Sequence, residues 1–226
     1  MDILDKFAKI IGQSKRPIIF EFGMCDGYHS NLLLSILNNT HKPYIYNGCE
    51  PVVDLFNKIQ LKTNDKGSAT KHNVAISDQD GVTELYKSGG KLIVDGVVRD
   101  SYYGSSSIRK PKLVTESWTS MTFTTTTTTT ITFDTLVANQ KLQGETIDFI
   151  WSDIQGAEID LINGGKQAFK NTRYFFTEYN NSELYEGAIS LAKISEMLPD
   201  FEVIYDWGGD ALLMNTKSNH YDQHQL

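Results

Sequence analysis

The spacing of apolar residues changes along the chain between two regular patterns. The first segment, within residues 1–16, carries apolar residues at helical spacing and is expected to end as a helix near Gly12: Ile3, Leu4, Phe7, Ile10 and Ile11. A short continuous apolar run at 17–22 follows, which is typical of a buried strand. The N-terminal region therefore predicts an amphipathic helix leading into a core strand.

The same alternation of strand and helix continues on both sides of the middle of the chain. The pattern predicts strands at Tyr44–Tyr46, Ala69–Ile76, Ile147–Ser152 and Tyr174–Glu178, and helices at Ser30–Leu37, Pro51 to about Leu61, Ala157–Asn163 and Ala188–Leu198. Two last strands, Phe201–Tyr205 and Ala211–Met214, flank Gly208-Gly209 and predict a hairpin. Strands that alternate with helices are typical of a parallel α/β sheet, here with an antiparallel edge.

The middle of the chain interrupts this pattern with an insertion over residues 88–131. Residues 82–87 resemble a strand, and residues 88–120 are rich in Gly, Ser and basic residues, which predicts a long loop. Thr124–Thr130 is a run of threonines, whose β-branched side chains favour an edge or ribbon strand. An exposed threonine edge also leaves a homo-oligomer open. The polar tail at 216–226, with two histidines four residues apart, is expected to be flexible.

Composition narrows the class of protein. The 226 residues are expected to form a single domain, and the net charge of −7 argues against a nucleic-acid partner. Two cysteines are too few for a disulfide scaffold and show no metal-binding spacing. No apolar run approaches the roughly 18 residues of a membrane span, so we expect a cytoplasmic protein without one.

A glycine loop follows the first predicted strand and precedes a helix. It reads Glu21-Phe22-Gly23-Met24-Cys25-Asp26-Gly27, and glycines at such a junction let the backbone turn sharply and approach a ligand. The spacing is not the GxGxxG of dinucleotide sites. Glu21 and Asp26 would repel a pyrophosphate and suit a ligand with a cationic amino-acid end. An ordinary tight turn explains the glycines equally well.

Three further acidic residues end predicted strands. Glu50 ends the second strand, where a carboxylate can accept hydrogen bonds from ribose hydroxyls; a helix-start carboxylate is the plainer explanation. Asp153 and Glu178 end two later strands. Because ligands bind at the carboxyl edge of open α/β sheets, the convergence of these groups with Glu21 favours a nucleoside site.

Several segments together resemble the FkbM family of S-adenosylmethionine-dependent methyltransferases. The strongest is Asp148 to Gly165, "DFIWSDIQGAEIDLINGG", which resembles the family's "DFIKIDVEGAELDVLKGA". The other similar segments are "PIIFEFGMCDGYHS", "CEP" at Cys49–Pro51, "HNVAISDQDGVTELY", "YGSSSI" at Tyr103–Ile108 and "ITFDTLV" at Ile131–Val137. They cover roughly residues 17–180. Four features depart from the family pattern: Cys25-Asp26 for Ala-Asn, Gln155 for Glu, Trp151 for Lys, and the threonine run.

The resemblance implies a Rossmann-like class I methyltransferase fold, with a mostly parallel seven-stranded sheet, helices on both faces and a terminal antiparallel hairpin. It implies O-methylation of a small-molecule or glycan acceptor, on a sugar, lipid or secondary metabolite, with S-adenosylhomocysteine as product. The cofactor-binding residues would be Glu21, Gly23, Met24, Cys25, Asp26, Gly27, Glu50, Pro51, Ala75, Ile76, Ser77 and Asp153. Of these, Glu50 would bind the ribose, and Ala75, Ile76 and Ser77 would border the adenine.

Methyl transfer to a hydroxyl benefits from a general base. Asp153 and Glu178 are candidates for acceptor binding or proton removal, and His29 is a third candidate because imidazole titrates near neutral pH. Residues 88–120, with Tyr102, Tyr103, Arg109 and Lys110, would form an acceptor lid.

Three alternatives stay open at this point. Asp153 and Glu178 with a neighbouring amide would suit Mg²⁺, although no compact ligand motif for a metal is present. A nicotinamide-dependent reductase would use a similar sheet, but GxGxxG is missing. A non-catalytic nucleoside-binding module would explain Gln155 and the threonine run as sequence drift.

Overall fold

A mostly parallel sheet of seven strands forms the centre of the protein. The computed structural model describes residues 2–94, 97–100, 103–112 and 121–218. The central strands are β1 (Ile18–Phe22), β2 (Tyr44–Cys49), β3 (Gly67–His72), β8 (Ile147–Ser152), β9 (Thr172–Glu178), β10 (Phe201–Asp206) and β11 (Asp210–Asn215). They lie in the order β10-β11-β9-β8-β1-β2-β3, and β11 runs antiparallel to both of its neighbours. The predicted fold class and terminal hairpin are confirmed.

Helices cover both faces of this sheet because its strands are apolar on both sides. They are α1 (Ile3–Gly12), α2 (Tyr28–Asn39), α3 (Val53–Lys58), α4 (Phe133–Asn139), α5 (Glu158–Gly164), α6 (Lys166–Lys170) and α7 (Leu191–Met197). Ile19 packs with the apolar residues of α1 and α2, whereas Phe20 and Phe22 pack with those of α4 to α7. No helix among the described residues has both the length and the apolar character needed to cross a membrane.

A second, four-stranded sheet contains the insertion. Its strands are β4 (Ala75–Ile76), β5 (Gly81–Val94), β6 (Val97–Asp100) and β7 (Met121–Ile131), in the order β4-β7-β5-β6. β5 and β7 pair antiparallel from Gly81↔Thr130 to Gly90↔Met121. The threonine run is therefore one strand of a long β-ribbon, as its β-branched composition predicted. Its residues 124–127 are exposed on both faces, where threonine tolerates solvent.

Three predicted elements are wrong in detail. The predicted loop at 88–120 is partly strand, because β5 continues to Val94 and turns back as β6. The predicted strand Ala69–Ile76 is divided between the two sheets. Asn73 interrupts it by donating its side-chain amide to the carbonyl of Glu50, 2.8 Å away.

The third difference concerns the helix predicted to start at Pro51 and to reach about Leu61. The helix α3 starts two residues later, at Val53, and ends at Lys58. A side-chain oxygen of Glu50 accepts a hydrogen bond from the amide of Val52, which holds the preceding backbone extended. Pro51 therefore lies before the helix rather than in its first turn. The end of the predicted tail, with His220 and His224, lies outside the described residues.

Candidate functional site

The carboxyl ends of β1, β2, β8 and β9 meet at one edge of the central sheet. β1 pairs in parallel with both β2 and β8, and β8 pairs in parallel with β9. Parallel pairing brings the glycine loop after β1, Glu50 after β2, Asp153 after β8 and Glu178 at the end of β9 to the same edge. The predicted convergence of these residues is what the topology produces.

The glycine loop is held against β8. Gly23 has a left-handed backbone with φ of 86°, and a Cβ at this position would fall 1.9 Å from the carbonyl oxygen of Asp153. Gly27, with φ of 79°, caps α2 and would place a Cβ 3.0 Å from Ile59. The close approaches at both glycines are to other parts of the protein, so their predicted approach to a ligand stays a prediction.

Glu50 lies behind this loop with only 3 % of its surface exposed. One carboxylate oxygen accepts a hydrogen bond from the amide of Cys25 at 2.7 Å, and the other accepts one from Val52 at 2.8 Å. Burial raises the pKa of Glu50 to about 7, against the lowering effect of the two amide donors. Since each carboxylate oxygen has about two acceptor positions, the group retains capacity to accept hydroxyl donors.

The two other acidic residues of the loop differ sharply in position. Glu21 is buried and accepts hydrogen bonds from the hydroxyls of Ser30, at 3.0 Å, and Tyr46. Burial raises its pKa to about 7. Asp26 is exposed and accepts a hydrogen bond from the amide of Tyr28 at 2.9 Å. Glu21 therefore faces the core and reaches a ligand only through its neighbours, whereas Asp26 is accessible.

A narrow cleft opens beside Glu50 at the same sheet edge. Its lining combines the ends of β1, β2 and β4 with the start of α5: Phe22, Gly23, Cys49, Pro51, Val74, Ala75, Ile76, Ser107, Ile108, Ile154 and Ala157. Four of the predicted cofactor-binding residues are thus on its surface. Met24 instead packs against Gly48, and the hydroxyl of Ser77 lies 3.4 Å from Asp78.

Residues 103–112, here called the strap, form one wall of this cleft. Ser107 donates its hydroxyl to the carbonyl of Gln155 at 2.8 Å, and the guanidinium of Arg109 binds both carboxylate oxygens of Asp160. Further along, the amide of Lys112 donates to the carbonyl of Leu184. The strap therefore connects the cleft beside Glu50 to the region around Glu178.

An amide lies between the two carboxyl groups predicted to act as bases. The Nε2 atom of Gln155 donates to Oδ1 of Asp153 at 2.6 Å and to Oε2 of Glu178 at 2.5 Å. Burial, followed by the negative charge of Asp153, raises the pKa of Glu178 well above the usual range of a carboxyl group. The sheet edge therefore holds a proton-binding pair next to the cleft.

The family profile described as the methyltransferase FkbM domain matches residues 21–208, which contain all of these elements. The chain belongs to the FkbM methyltransferase family. It is also 39 % identical over 151 residues to the 2-O-methyltransferase NoeI of Sinorhizobium fredii (strain NBRC 101917 / NGR234). That alignment covers 64 % of this chain and 58 % of the relative, so the chain spans little more than half of the length of that protein.

The third predicted base of this FkbM methyltransferase lies apart from the pair. His29 is exposed at the start of α2, and its ring centroid is 5.3 Å from that of Trp151. It belongs to a row of rings in mutual contact, here called the aromatic row: Tyr28, His29, Trp151, Phe176, Trp207 and Tyr205. Trp207 is 41 % exposed, and its amide donates to the carbonyl of Asp210, the residue that pairs with Glu178.

Sequence reasoning did not identify Ser107, Ile108, Asp160 or Trp207 as part of this region. The "YGSSSI" segment was a usable signal, since its resemblance to the family marks two of the cleft-lining residues. No sequence signal marked Trp207, because a tryptophan beside Gly-Gly is compatible with any hairpin. Tyr102 of the predicted lid lies outside the described residues.

Among the described residues, no group of three or more His, Cys, Asp or Glu side chains is placed to hold a metal ion. A further cavity lies at the opposite end of the sheet, between α6 and the start of β10, and none of the predicted site residues lines it.

Proposed function

We propose that this chain is an S-adenosylmethionine-dependent O-methyltransferase. The observation that carries the proposal is Glu50, a buried carboxylate that follows β2, fastens the glycine loop and lies between two cleft-lining residues, Cys49 and Pro51. A carboxylate in this place is suited to accept hydrogen bonds from both ribose hydroxyls of a nucleoside. Membership of the FkbM family and similarity to a protein named 2-O-methyltransferase support the same reaction.

The residues of the cleft fit such a cofactor. Ala75, Ile76 and Ile108 offer apolar surface for a purine, and Pro51 lies beside Glu50. The exposed carboxylate of Asp26 is the nearest match to a cationic amino group. When bound, S-adenosylmethionine supplies a methyl group on a sulfonium sulfur, which is a good leaving group. The chain itself contributes position and charge.

We assign the acceptor side to the region of Asp153 and Glu178, at the same edge of the sheet as the cleft. A hydroxyl that is methylated loses its proton, and this carboxyl pair is the group in position to take it. The aromatic row is buried at Trp151 and Phe176 and exposed at Tyr28 and Trp207, and Trp207 donates its amide to Asp210, which pairs with Glu178. Exposed rings beside carboxylates suit an acceptor that combines ring faces with hydroxyl groups, as a saccharide does.

The cofactor assignment is tested by calorimetry with S-adenosylhomocysteine. We expect the wild-type protein to bind it and Glu50→Ala to bind at least tenfold more weakly, because hydrogen bonds to a charged group contribute about 1.5–3 kcal/mol. Glu202→Ala, which removes an exposed glutamate from β10, is the matched control and is expected to bind normally.

Thermal unfolding of each variant separates loss of binding from loss of the fold. Failure of the folded wild-type protein to bind the compound contradicts the proposal. Unchanged binding by Glu50→Ala removes the ribose assignment alone. Labelled S-adenosylmethionine offered with a panel of acceptors led by saccharides then identifies the class of hydroxyl.

A further inference from the structure

Gln155 lies at the point where four parts of the chain meet. It follows β8 in a left-handed conformation, with φ of 54°, and its carbonyl accepts the hydroxyl of Ser107 in the strap. Its side chain contacts Asp153, Glu178 and the hydroxyl of Tyr185. A glutamine in left-handed backbone is strained, and its contacts are what hold it there.

The orientation of the side-chain amide follows from its surroundings. Nε2 carries two hydrogens, and two carboxyl oxygens lie 2.6 and 2.5 Å away, so each hydrogen has one acceptor. Oε1 faces the hydroxyl of Tyr185 at 3.1 Å. The opposite orientation would place the amide oxygen, which only accepts, against both carboxyl groups, and a proton on Glu178 would satisfy only one of the two contacts.

A glutamate at this position would change the charge rather than the shape. It would put a third carboxyl group in contact with two others, and like charges at this distance oppose ionisation. More titratable groups act on the cluster from the elements packed around it: Glu21, Glu50, Glu158, Asp210, His29 and Tyr185. Four of these six groups are acidic side chains, and a fifth, Tyr185, is a phenol that adds no positive charge. The amide of Gln155 therefore donates to the pair without adding another negative charge.

We propose that Gln155 is a positioning residue, which bridges Asp153 and Glu178 through one amide nitrogen and keeps the pair able to accept the proton of the methyl acceptor. The part that concerns proton acceptance rests on the proposed methyl transfer. The bridge itself is independent of any ligand. The departure of this chain from the family's glutamate is thus a functional adjustment of the pair and not drift.

The first test follows the melting temperature against pH in the absence of cofactor. At pH 5, Gln155→Glu is expected to melt close to the wild type, because a protonated glutamate is neutral and still donates. At pH 8 it is expected to melt at least about 5 °C further below the wild type, because the added carboxyl ionises freely in the unfolded chain whereas the neighbouring carboxyl pair opposes its ionisation in the folded protein. Gln143→Glu adds the same charge at an exposed position and serves as the matched control.

Two further variants separate charge from shape. Gln155→Met removes the donors without adding a titratable group, so its melting temperature is expected to fall by similar amounts at both pH values. Adding Asp153→Asn to Gln155→Glu returns the cluster to two carboxyl groups and is expected to restore stability at pH 8. This double variant keeps the test decisive if Gln155→Glu does not fold at that pH.

The second test is the pH profile of methyl transfer. Gln155→Glu is expected to move the acid limb of kcat upward by about one pH unit, a tenfold loss near pH 7, with the affinity for S-adenosylhomocysteine unchanged. A purely structural role would not move the limb. The inference is overturned if Gln155→Glu shows no more pH-dependent loss of stability than Gln143→Glu. If the wild type transfers no methyl group, the proposed function fails while the stability test still decides the bridge.

Discussion

Single residues at the sheet edge act mainly on one another. Glu50 fastens the glycine loop, Gly23 allows that loop to reach the backbone of Asp153, and Gln155 joins Asp153 to Glu178. The chain thus links the cofactor side to the acceptor side by direct contacts. A change at Gly23, which contacts the backbone of Asp153, is expected to affect both sides.

The substitution Gly23→Ala tests whether the contact between Gly23 and Asp153 constrains the glycine loop. The added Cβ would meet the carbonyl oxygen of Asp153 at 1.9 Å in a backbone conformation that alanine disfavours. Overpacking and left-handed strain together are expected to lower the free energy of unfolding by about 3 kcal/mol or more. Urea unfolding measures the loss.

Gly12→Ala provides the matched comparison at the end of α1. A Cβ there has nothing within 4 Å, so the substitution is expected to be neutral or to stabilise by up to about 1 kcal/mol. Equal effects of the two substitutions would show that the contact between Gly23 and Asp153 does not constrain the loop.

At the residue scale, the sequence predicted which acidic residues end strands but not what each one faces. Glu50, Asp153 and Glu178 lie at the predicted edge. Glu21 was expected at the ligand but is enclosed by Ser30 and Tyr46. All five residues of β1 are buried, so alternation of polar and apolar positions carried no information about its direction.

Among the elements, the strap connects the cleft beside Glu50 to the region around Glu178 through a small number of side-chain and backbone contacts. Arg109 is the strongest of these, because its planar guanidinium binds both oxygens of the buried Asp160. Ser107 and Ile108, which line the cleft beside Glu50, lie directly before it. The position of the strap is therefore expected to control access to the cofactor site.

Arg109→Ala is expected to release the strap. Cleavage by trypsin after Lys112 should become several-fold faster, and S-adenosylhomocysteine should bind more weakly because one wall of the cleft is displaced. Arg16→Ala removes an exposed ion pair with Glu145 and is the control. Wild-type cleavage rates and affinity in Arg109→Ala would show that the other contacts suffice.

Local patterns predicted the α/β elements well and the insertion poorly. Residues 88–90 are Ser-Gly-Gly, a poor strand sequence, and their strand character comes from pairing with residues of β7 more than thirty positions away. The division of Ala69–Ile76 likewise depends on the end of β7. Such non-local pairing has no periodic signature within the segment itself.

At the scale of the whole molecule, three carboxyl groups are buried and form no ion pair among the described residues. Burial raises the pKa of Glu21, Glu50 and Glu158 from 4.5 to about 7 in each case. Since the folded state binds these protons more tightly than the unfolded chain, the contribution of the three groups to stability is greatest below pH 4.5 and is lost as pH rises through 7.

The free energy of unfolding is therefore expected to fall between pH 5.5 and pH 8.5, by about 2 kcal/mol for each of these groups. Urea unfolding across this range measures the change. Glu21→Gln removes one contribution and is expected to flatten the profile, whereas Glu202→Gln at an exposed position should leave it unchanged. A profile that rises with pH would contradict the burial argument.

The threonine run has a consequence for how the gene can vary. Met121 and Phe123, before the run, pack against Tyr185 and its neighbours, while Thr128 and Thr130 are buried at its other end. Side chains of a strand alternate between faces, so Met121 and Phe123 face the side opposite to Thr128 and Thr130, and one extra threonine would turn the two ends to the same side. Two extra threonines would preserve both. Replication slippage in this repeat is thus constrained by parity: even changes in codon number are tolerable and odd ones are not.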